Sequence, residues 1–356
     1  MESRIETVNK KGKVGIALLS FAHFHQYKWL ETFGDDPKVE IVGFWDDDIV
    51  RARTVKRKYD IRYFSSVDEI LKKKEVSAVA ICSETSLHKG LVLKSCLYKK
   101  HILCEKPIAT TISDALEMKD AVKKAGVIFL QSSPQRLIKG NILIKKILDS
   151  GELGRITHVR KRHGHGFSLK GLDKDMPWIV TKEKTGGGAY IDEGVHETDL
   201  LQYYFGMPQS VYAEFSKNLY GEVEKFGVAV YRYPDDLIVI HEAAWDWLAG
   251  GPTTEIYGRK GVVIESFTDC ASSTGKSYWP HLSIFKKETG EWETLEDTFD
   301  FSSVHSLFPR EFISILTENK DPICTIDDGV NALTMVIGAY ESAKEAKTIN
   351  FPLEQE

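Results

Sequence analysis

Apolar and polar residues alternate in two different ways along the chain, and the first of these patterns covers the amino-terminal third. Runs such as Lys13–Leu19 and Val39–Trp45 are almost wholly apolar, which is typical of strands buried on both faces of a parallel sheet. Between the runs, apolar residues recur at helical spacing. Further strands are predicted at Val76–Cys82, His101–Glu105 and Val127–Gln131, and further helices begin at Ile49, Val67, His88 and Ser113. This alternation predicts a doubly wound α/β domain that binds a nucleotide.

From Gly151 the period changes, because apolar and polar residues then alternate one by one between glycines and prolines, as in an antiparallel sheet. Strands are predicted at Ile156–Arg162, Ser210–Ser216, Gly227–Tyr233, Leu237–Trp245, Thr253–Tyr257, Val262–Ser266 and Leu282–Lys286. Helices are predicted at Ile138–Leu148, Asp192–Tyr204, Pro309–Thr317 and Asp327–Ala346. The sequence therefore predicts a parallel-sheet domain over residues 1–131 and an α+β domain with a large, mainly antiparallel open sheet over residues 132–356. The strands outnumber the helices available to cover them, so we expect one uncovered sheet face and a homodimer or homotetramer.

Polar residues follow the predicted strands of the first domain. Ligands of such sheets lie beyond the carboxyl ends of the strands, so we expect Ser83–His88 and Glu105–Pro107 to face one crevice. Asp46 follows the second strand, where a carboxylate accepts hydrogen bonds from a ribose and repels a 2′-phosphate. Two alternatives stay open, since Asp46–Asp48 also suit a solvated turn that caps the next helix. The residues that would instead receive a 2′-phosphate are Arg51 and Arg53.

A run of three glycines, Gly186–Gly188, precedes a segment with helical spacing of apolar residues. Glycines free the backbone for a tight turn, so we expect a flexible loop that leads into a helix. Asp192, His196 and Asp199 lie at i, i+4 and i+7, which places them on one helix face. A carboxylate beside an imidazole suits proton transfer near neutral pH. A solvated pair on an exposed face is the alternative interpretation.

Composition and charge exclude several classes of function. The chain has 356 residues, of which 42% are hydrophobic and 28% charged, and a formal charge of -5; this balance gives no basis for nucleic-acid binding. The five cysteines are scattered, which predicts neither a disulfide framework nor a zinc motif. No run is long enough to span a membrane. Met1–Lys13 lacks the apolar segment of a secretion signal, so we expect a cytoplasmic protein.

Taken together, the motifs resemble the signatures of the Gfo/Idh/MocA oxidoreductase family. The resemblance rests on Glu105-Lys106-Pro107 at a strand end and on the glycine run with Asp192, His196 and Asp199 about eighty residues later. Ile81–His88 also resembles the family's cofactor-contacting turn, and Gln135-Arg136 followed by Ser150–Gly154 resembles its linker helix. The similarity covers nearly the whole chain.

The resemblance implies a Rossmann-type domain followed by a substrate domain, with NAD, or alternatively NADP, as cofactor for oxidation or reduction of a sugar, sugar derivative or cyclitol. It implies His196 as acid/base, Asp192 as its orienter and substrate hydrogen-bond acceptor, and Lys106 as the cation near the reacting oxygen. The residues expected to contact cofactor are Ser20, Phe21, Ala22, His23, Asp46, Ser83, Thr85, His88, Glu105, Lys106, Gln135 and Arg136. The residues expected to contact substrate are Lys106, His163, His165, Trp178, Asp192 and His196.

The sequence departs from the family at the turn after the first strand, where a G-x-G-x-x-G pattern is expected. Leu18, Ser20 and His23 stand at the three glycine positions. Ser20 is small, and its amide and hydroxyl would suit a pyrophosphate at a helix start. Leu18 and His23 carry side chains where the backbone normally approaches the cofactor closely.

A basic and histidine-rich segment surrounds His163 and His165. These two histidines share a strand face, as metal ligands do, but no third ligand is evident in the sequence, so we predict no metal. A substrate-facing cluster and a solvated strand are the two interpretations that stay open. Trp178 suits stacking on a sugar face, with a core position as the alternative.

Two other functions remain compatible with these motifs. A glycoside hydrolase of the same family would use bound NAD transiently, without net turnover. A catalytically silent sensor of sugars or dinucleotides would have no need of Lys106, Asp192 and His196.

Overall fold

The computed structural model describes residues 7–8, 12–217, 219–248, 252–266, 280–296 and 304–353. The chain forms two compact units. One consists of Met1–Pro134 and Ser303–Val330, and the other of Gln135–Ser302 and Asn331–Glu356. Of the five cysteines, Cys270 lies outside the described residues, and the buried thiols are Cys82, Cys96, Cys104 and Cys324.

The first unit contains a sheet of five parallel strands in the order β2-β1-β3-β4-β5. Its strands are β1 Val14–Leu19, β2 Val39–Trp45, β3 Ala78–Ile81, β4 His101–Cys104 and β5 Phe129–Gln131. Its first helices are α1 His25–Gly34, α2 Ile49–Tyr59, α3 Val67–Leu71, α4 His88–Leu97 and α5 Ile112–Ala125. β1, β3 and β4 are buried along their whole length, as expected for strands covered on both faces. The predicted doubly wound sheet is confirmed, and the carboxyl ends of β1 and β3 form its switch point.

Helix α11, Val304–Glu318, belongs with the first unit, although the sequence pattern assigned it to the second domain. It packs along α1, where the Ser306 hydroxyl donates a hydrogen bond to Thr32 Oγ1 at 3.2 Å, since the Thr32 hydroxyl donates its own proton to the Lys28 carbonyl. The buried side chains of α11 include Phe308 and Phe312. A local pattern of apolar residues identifies the helix but carries no information about which distant segment covers it.

The second unit contains a nine-stranded sheet in the order β15-β14-β13-β12-β6-β11-β10-β7-β16. Its strands are β6 Ile156–Gly164, β7 Ser210–Phe215, β10 Phe226–Arg232, β11 Ile238–Ala244, β12 Thr254–Gly258, β13 Gly261–Glu265, β14 Leu282–Lys286, β15 Glu291–Glu296 and β16 Ile349–Asn350, and a separate hairpin consists of β8 Leu219–Tyr220 and β9 Val223–Glu224. The prediction of a mainly antiparallel sheet is confirmed. One neighbouring pair, β6 and β11, runs parallel, so the sheet is mixed. The pattern did not predict β15 and β16.

The remaining helices are α6 Lys139–Ser150, α7 Phe167–Lys170, α8 Lys182–Thr185, α9 Ala189–Asp192, α10 Gly194–Phe205 and α12 Ile326–Glu345. The helix predicted at Asp192–Tyr204 is confirmed as α10, but it begins two residues later than predicted because α9 and α10 meet at Glu193. Among the residues that the structure describes, no helix has both the length and the apolar composition that crossing a membrane requires.

Burial alternates along β7 and β10. Ala213, Ala229 and Tyr231 are buried, whereas Tyr212 and Val230, which lie opposite each other in register, are 41% and 39% exposed. Helix α12 covers the buried side, where the Tyr231 hydroxyl donates a hydrogen bond to the main-chain carbonyl of Met335. The other side of these two strands is exposed in the chain.

Candidate active site

The turn after β1 keeps a glycine-like backbone without a glycine. Ser20 has a φ of 69°, in the left-handed region that costs a non-glycine residue about 1–2 kcal/mol. Its hydroxyl accepts the Ala22 N–H at 3.2 Å and donates to Asp47 Oδ1 at 3.2 Å. The serine hydroxyl thus stabilises a turn that glycine would adopt freely.

The amide groups of this turn already have acceptors within the protein. Phe21 N–H donates to Asp46 Oδ2 at 2.8 Å, Ala22 N–H to the Ser20 hydroxyl, and His23 N–H to the Cys82 carbonyl at 3.0 Å. In a glycine-rich turn, the corresponding amides approach the pyrophosphate. Phe21 was predicted to contact the cofactor, but its ring is buried and packs against that of Phe44.

Asp46 lies at the end of β2, as the ribose-binding carboxylate of a Rossmann domain does, and is 3% exposed. Its oxygens accept hydrogen bonds from the N–H groups of Phe21 and Asp48 and from Arg51 Nε, at 2.8 to 3.0 Å. Burial raises the pKa of Asp46, although Arg51 opposes this shift. Of the two arginines considered for a 2′-phosphate, Arg51 binds Asp46 and Asp47, and Arg53 is exposed.

The segments after β3 and β4 are in contact, as the sequence analysis expected. His88 Nδ1 lies 2.9 Å from the Pro107 carbonyl, so it carries the proton and Nε2 is an acceptor. This Nε2 is buried and has no hydrogen-bond partner among the described residues. Burial lowers the pKa of His88 and keeps the ring neutral. Ser83, Thr85, Glu105 and Lys106 are also buried, with Lys106 7% exposed.

These observations fit a dinucleotide at the switch point. The sheet order places the turn after β1 beside the segment after β3, the acid at the end of β2 is present, and His88 offers a buried acceptor without a partner. The turn after β1 differs from a glycine-rich turn, because its N–H groups donate hydrogen bonds to acceptors within the protein. The residues that would hold the cofactor therefore include the side chains after β3 and β4.

Histidines that the sequence analysis did not consider lie beside this turn. His25 Nδ1 is 3.2 Å from Glu105 Oε2, and the His25 ring lies 4.3 Å from that of His23 and 4.1 Å from that of His305. Burial alone would raise the pKa of Glu105, but His25, His23 and Lys106 outweigh it and hold that pKa far below its usual range. His25 and His305 escaped notice because no motif connects them in the sequence.

The glycine run in the second unit is required by close packing. A Cβ on Gly188 would lie 2.1 Å from the Glu224 carbonyl oxygen, and one on Gly187 would lie 2.2 Å from the Tyr340 hydroxyl. The Glu224 carboxylate accepts the N–H groups of Gly188 and Tyr190, at 2.9 to 3.0 Å, and the Tyr340 hydroxyl at 2.7 Å. The expected flexible loop is thus a buried and hydrogen-bonded segment.

Asp192 and His196 lie on either side of the break between α9 and α10. Just after the break, the His196 N–H donates a hydrogen bond to the Glu193 carbonyl, three residues earlier, at 3.2 Å. Asp192 Oδ2 accepts a hydrogen bond from Trp245 Nε1 at 3.2 Å, and His196 is 7% exposed. The His196 ring centroid lies 5.4 Å from that of His163. An acid and an imidazole therefore occupy consecutive turns beside the end of β6.

Asp199, the third polar residue of the predicted face, has a different partner. Both of its oxygens bind Arg136, at 2.8 Å each, and both side chains are buried. The Arg136 guanidinium also lies over the ring of Tyr203, at 4.8 Å. Gln135, the other predicted cofactor contact in this segment, accepts hydrogen bonds from Asn141. Among the described contacts, Arg136 is bound to α10 through Asp199, and Gln135 is bound to α6 through Asn141.

The predicted substrate residues His163 and His165 surround the carboxylate of Glu193. Their Nε2 atoms lie 3.2 and 3.3 Å from Glu193 Oε2. His163 Nδ1 is 2.8 Å from Glu197 Oε1, and Lys161 Nζ is 3.0 Å from Glu197 Oε2. Glu193 and Glu197, which alternate with Asp192 and His196 along the chain, were not predicted as site residues from the sequence. Trp178 is 7% exposed, which agrees with the alternative of a core position.

The electrostatics of this cluster keep its carboxylates charged. Burial alone would raise the pKa of Glu193, but His165 and His163 outweigh it and lower that pKa well below its usual range. Burial opposes ionisation of Glu197 as well, and Lys161 and His163 lower its pKa in spite of it. The cluster therefore holds ionised carboxylates in a buried place, next to imidazole and ammonium groups that stabilise their charge.

The parallel sheet with its switch point and the carboxylate and imidazole of the second unit define a Rossmann-type, nucleotide-dependent enzyme. Residues 14–132 match a family model described as an oxidoreductase family with an NAD-binding Rossmann fold, and residues 142–264 match the GFO/IDH/MocA C-terminal domain. The chain belongs to the Gfo/Idh/MocA family of NAD(P)-dependent oxidoreductases. The predicted family, enzyme class and NAD cofactor are thereby confirmed.

Named relatives support this assignment, and a solved structure shares the fold. The chain is 24% identical over 350 residues to myo-inositol 2-dehydrogenase of Thermotoga maritima, covering 95% of this chain and 97% of that protein. It is 30% identical over 284 residues to 1,5-anhydro-D-fructose reductase of Ensifer adhaerens, covering 78% and 81%. Other relatives are matched over about half of their own length, 52% in one case. The WlbA dehydrogenase from Bordetella pertussis, solved with NADH and UDP-GlcNAcA, shares the fold with a TM-score of 0.82 at 22% identity, over 96% of this chain and 99% of that one.

Proposed function

We propose that the protein transfers a hydride between NAD and a hydroxyl or keto group of a sugar, sugar derivative or cyclitol. The observation that carries the proposal is the pair of Asp192 and His196 on consecutive turns, with His196 largely buried and next to His163. Relatives named for action on an inositol and on an anhydrofructose support the substrate class. In this proposal residues 1–131 hold the dinucleotide and residues 132–356 the substrate, with 303–330 packed against the former.

The proposed roles follow from what the reaction requires. Bound NAD supplies the hydride acceptor, or NADH the donor in reverse. His196 takes the hydroxyl proton as the carbonyl forms, a role commonly worth about a hundred- to ten-thousandfold in rate. Asp192, whose Oδ2 is fixed by Trp245, orients His196 and accepts a hydrogen bond from the substrate. Lys106 stabilises negative charge on the reacting oxygen.

The test is single-turnover hydride transfer, followed by the absorbance of reduced nicotinamide across a panel of sugars and cyclitols. With cofactor saturating, we expect Lys106→Ala, His196→Ala and Asp192→Asn to lose at least a hundredfold in rate while binding NADH normally. Their losses should not add, because residues that act as a unit are not additive. The matched control is His158→Ala, because His158 is an exposed histidine on β6 whose ring packs at a tilt beside that of Tyr257.

Two results would contradict the proposal. A near-normal rate in His196→Ala would place the proton chemistry elsewhere, with Lys106 as the first candidate. Product formation from a glycoside without any net change in reduced nicotinamide would indicate the transient use of NAD by a hydrolase.

The exposed side of β7 and β10 supports a proposal about assembly. Tyr212 and Val230 form an apolar pair there, and we propose that a second copy covers it in a homodimer or homotetramer. Val230→Arg should shift the molar mass from light scattering towards that of the monomer. Leu219→Arg, at an exposed position of the β8–β9 hairpin, should leave it unchanged. A monomeric wild type at micromolar concentration would refute the proposal.

We also propose a cytoplasmic location. Cys82, Cys96, Cys104 and Cys324 are thiols, which suits a reducing compartment. Recovery of the native protein with the soluble cytoplasmic fraction of its source cells is the expected result, and recovery with the membranes or the medium would contradict it.

A further inference from the structure

Three metal-ligating side chains converge at the end of β6. His163 lies near the end of β6, His165 directly follows the strand, and Glu193 lies at the break between α9 and α10. One nitrogen from each histidine and one oxygen from the glutamate all lie within 4.8 Å of one another. The sequence analysis saw the two histidines but no third ligand, because Glu193 is near them only in the fold.

The distances match those between ligands of a single ion. Two nitrogen or oxygen ligands about 2.1 Å from one ion, at a tetrahedral angle, lie about 3.4 Å apart. The Nε2 atoms of His163 and His165 lie 3.2 and 3.3 Å from Glu193 Oε2. Both distances to Glu193 are therefore those expected for ligands that share one ion.

The hydrogen bond that holds the other ring nitrogen of His163 is also typical of a metal site. His163 Nδ1 is 2.8 Å from Glu197 Oε1, so the proton on Nδ1 is donated to the carboxylate. Nε2 then faces Glu193 either as the N–H of an imidazolium or as a lone pair, and in the second form a metal ion takes the place of the proton between the two acceptors. A carboxylate that holds the far nitrogen of a ligating histidine is the usual support of a bound metal.

The charge balance points the same way. The buried groups connected to the cluster include the carboxylates of Glu193, Glu197 and Glu265 and one ammonium, Lys161, which lies 3.0 Å from Glu197 and 3.5 Å from Glu265. Among the described residues, these three carboxylates and one ammonium have a net charge of two negative units, which either two imidazolium protons or one divalent cation offsets. Buried charges are costly unless they are paired or bound to metal, and a divalent cation removes this excess.

We propose that His163, His165 and Glu193 bind one divalent transition-metal ion, with zinc as the reference probe. Two histidines and one carboxylate leave coordination positions open, as in catalytic metal sites, and His165 is the most exposed ligand, with 19% of its side chain accessible against 6% or less for the other two. The ion binds two adjacent oxygen atoms of the substrate, such as a hydroxyl beside a keto, hydroxyl or carboxylate group. The histidines then contact the substrate through the ion, beside His196.

This role of the ion rests on the proposed function, but its binding does not. The test uses the full-length, tag-free protein, stripped with a chelator and titrated with zinc by calorimetry in the absence of substrate and cofactor. We expect one equivalent bound at the cluster. His165→Asn and Glu193→Gln should weaken this binding at least tenfold, and Glu197→Gln should weaken it about ten- to a hundredfold, as a supporting residue does. His158→Asn is the matched control and should bind normally.

A second cluster, His23 with His25 and Glu105, serves as the internal comparison. Zinc binding that persists in both His165→Asn and Glu193→Gln but is lost in His25→Asn would refute the assignment, as would the absence of binding to the wild type. Cobalt provides a measurement on the wild type alone, since histidine and carboxylate ligands in a four-coordinate site give an intense visible absorption that zinc then displaces; its absence also counts against the site. Normal zinc binding with no hydride transfer would reject the proposed function and leave the metal site in place.

Discussion

A buried histidine beneath the helix that carries Asp192 allows us to predict how the free energy of unfolding depends on pH. His241 is fully buried, and its Nδ1 lies 2.8 Å from the Tyr190 hydroxyl. The Tyr231 hydroxyl donates its only proton to the carbonyl of Met335, so the Tyr190 hydroxyl donates to Tyr231 at 3.0 Å. His241 must then donate from Nδ1, and the proton needed to charge the ring would have to bind Nε2.

Protonation at Nε2 is strongly disfavoured. This atom is buried and has no hydrogen-bond partner among the described residues. Burial lowers the pKa of His241 from 6.5 to about 3. Between these values the unfolded chain binds a proton that the folded chain does not, so the free energy of unfolding falls as the pH falls. At about 1.4 kcal/mol per pH unit, this group costs the fold about 3 kcal/mol between pH 7 and pH 4.

The perturbation is His241→Phe, which removes the titrating group and keeps a ring in the cavity. Urea unfolding at a series of pH values gives the free energy of unfolding of each protein. We expect the variant to be less stable than the wild type at pH 7 and to gain about 3 kcal/mol relative to it by pH 4. Tyr190→Phe removes the hydrogen bond but keeps the histidine, so its stability should keep the wild-type dependence on pH. Parallel curves for His241→Phe and the wild type would refute the reasoning.

Three further predictions concern contacts that the fold brings together. Gly188→Ala should destabilise the protein by about 1–3 kcal/mol and slow hydride transfer, because the new Cβ meets the backbone of Glu224; Gly90→Ala, where no atom lies within 4 Å, is the control in the same urea assay. Arg136→Ala should cost about 3–5 kcal/mol, since it leaves a buried carboxylate without its guanidinium, and equal stability to the wild type would show that the pair contributes nothing. Calorimetry should give a lower dissociation constant for NAD than for NADP, and Asp46→Ser should narrow this difference by releasing the arginine bound to it; a wild type that prefers NADP would contradict the prediction.

The sequence predicted the regular elements well because each depends on local periodicity. The strands Val39–Trp45 and Leu282–Lys286 have the predicted bounds, and most others differ by one or two residues. The helix at Asp192 was predicted as continuous, since the apolar spacing does not record the break at Glu193. The parallel pairing of β6 and β11 was also missed, because alternation identifies a strand without giving the direction of its neighbour.

The candidate site was harder to predict because its partners lie far apart in the sequence. Asp199 has the spacing of a catalytic residue but binds Arg136, which is 63 residues away. The glycine run was attributed to backbone freedom, whereas Glu224 and Tyr340 require the absence of side chains there. Conversely, Ser20 adopts the left-handed conformation expected of glycine, so the loss of a motif residue did not mean the loss of the turn.

The hydrogen bond from Tyr340 to Glu224 has a consequence for variants near the end of the chain. Glu224 accepts the amides that start the segment leading to Asp192, and Tyr340 holds it from helix α12. A truncation before residue 340, or a missense change at Tyr340, would therefore remove a hydrogen bond that supports Gly186–Gly188, although Tyr340 belongs to none of the motifs described above. We expect such a variant to be classified as a loss of catalysis in an activity screen, although Tyr340 lies 144 positions along the chain from His196, the nearest proposed catalytic residue in the same unit.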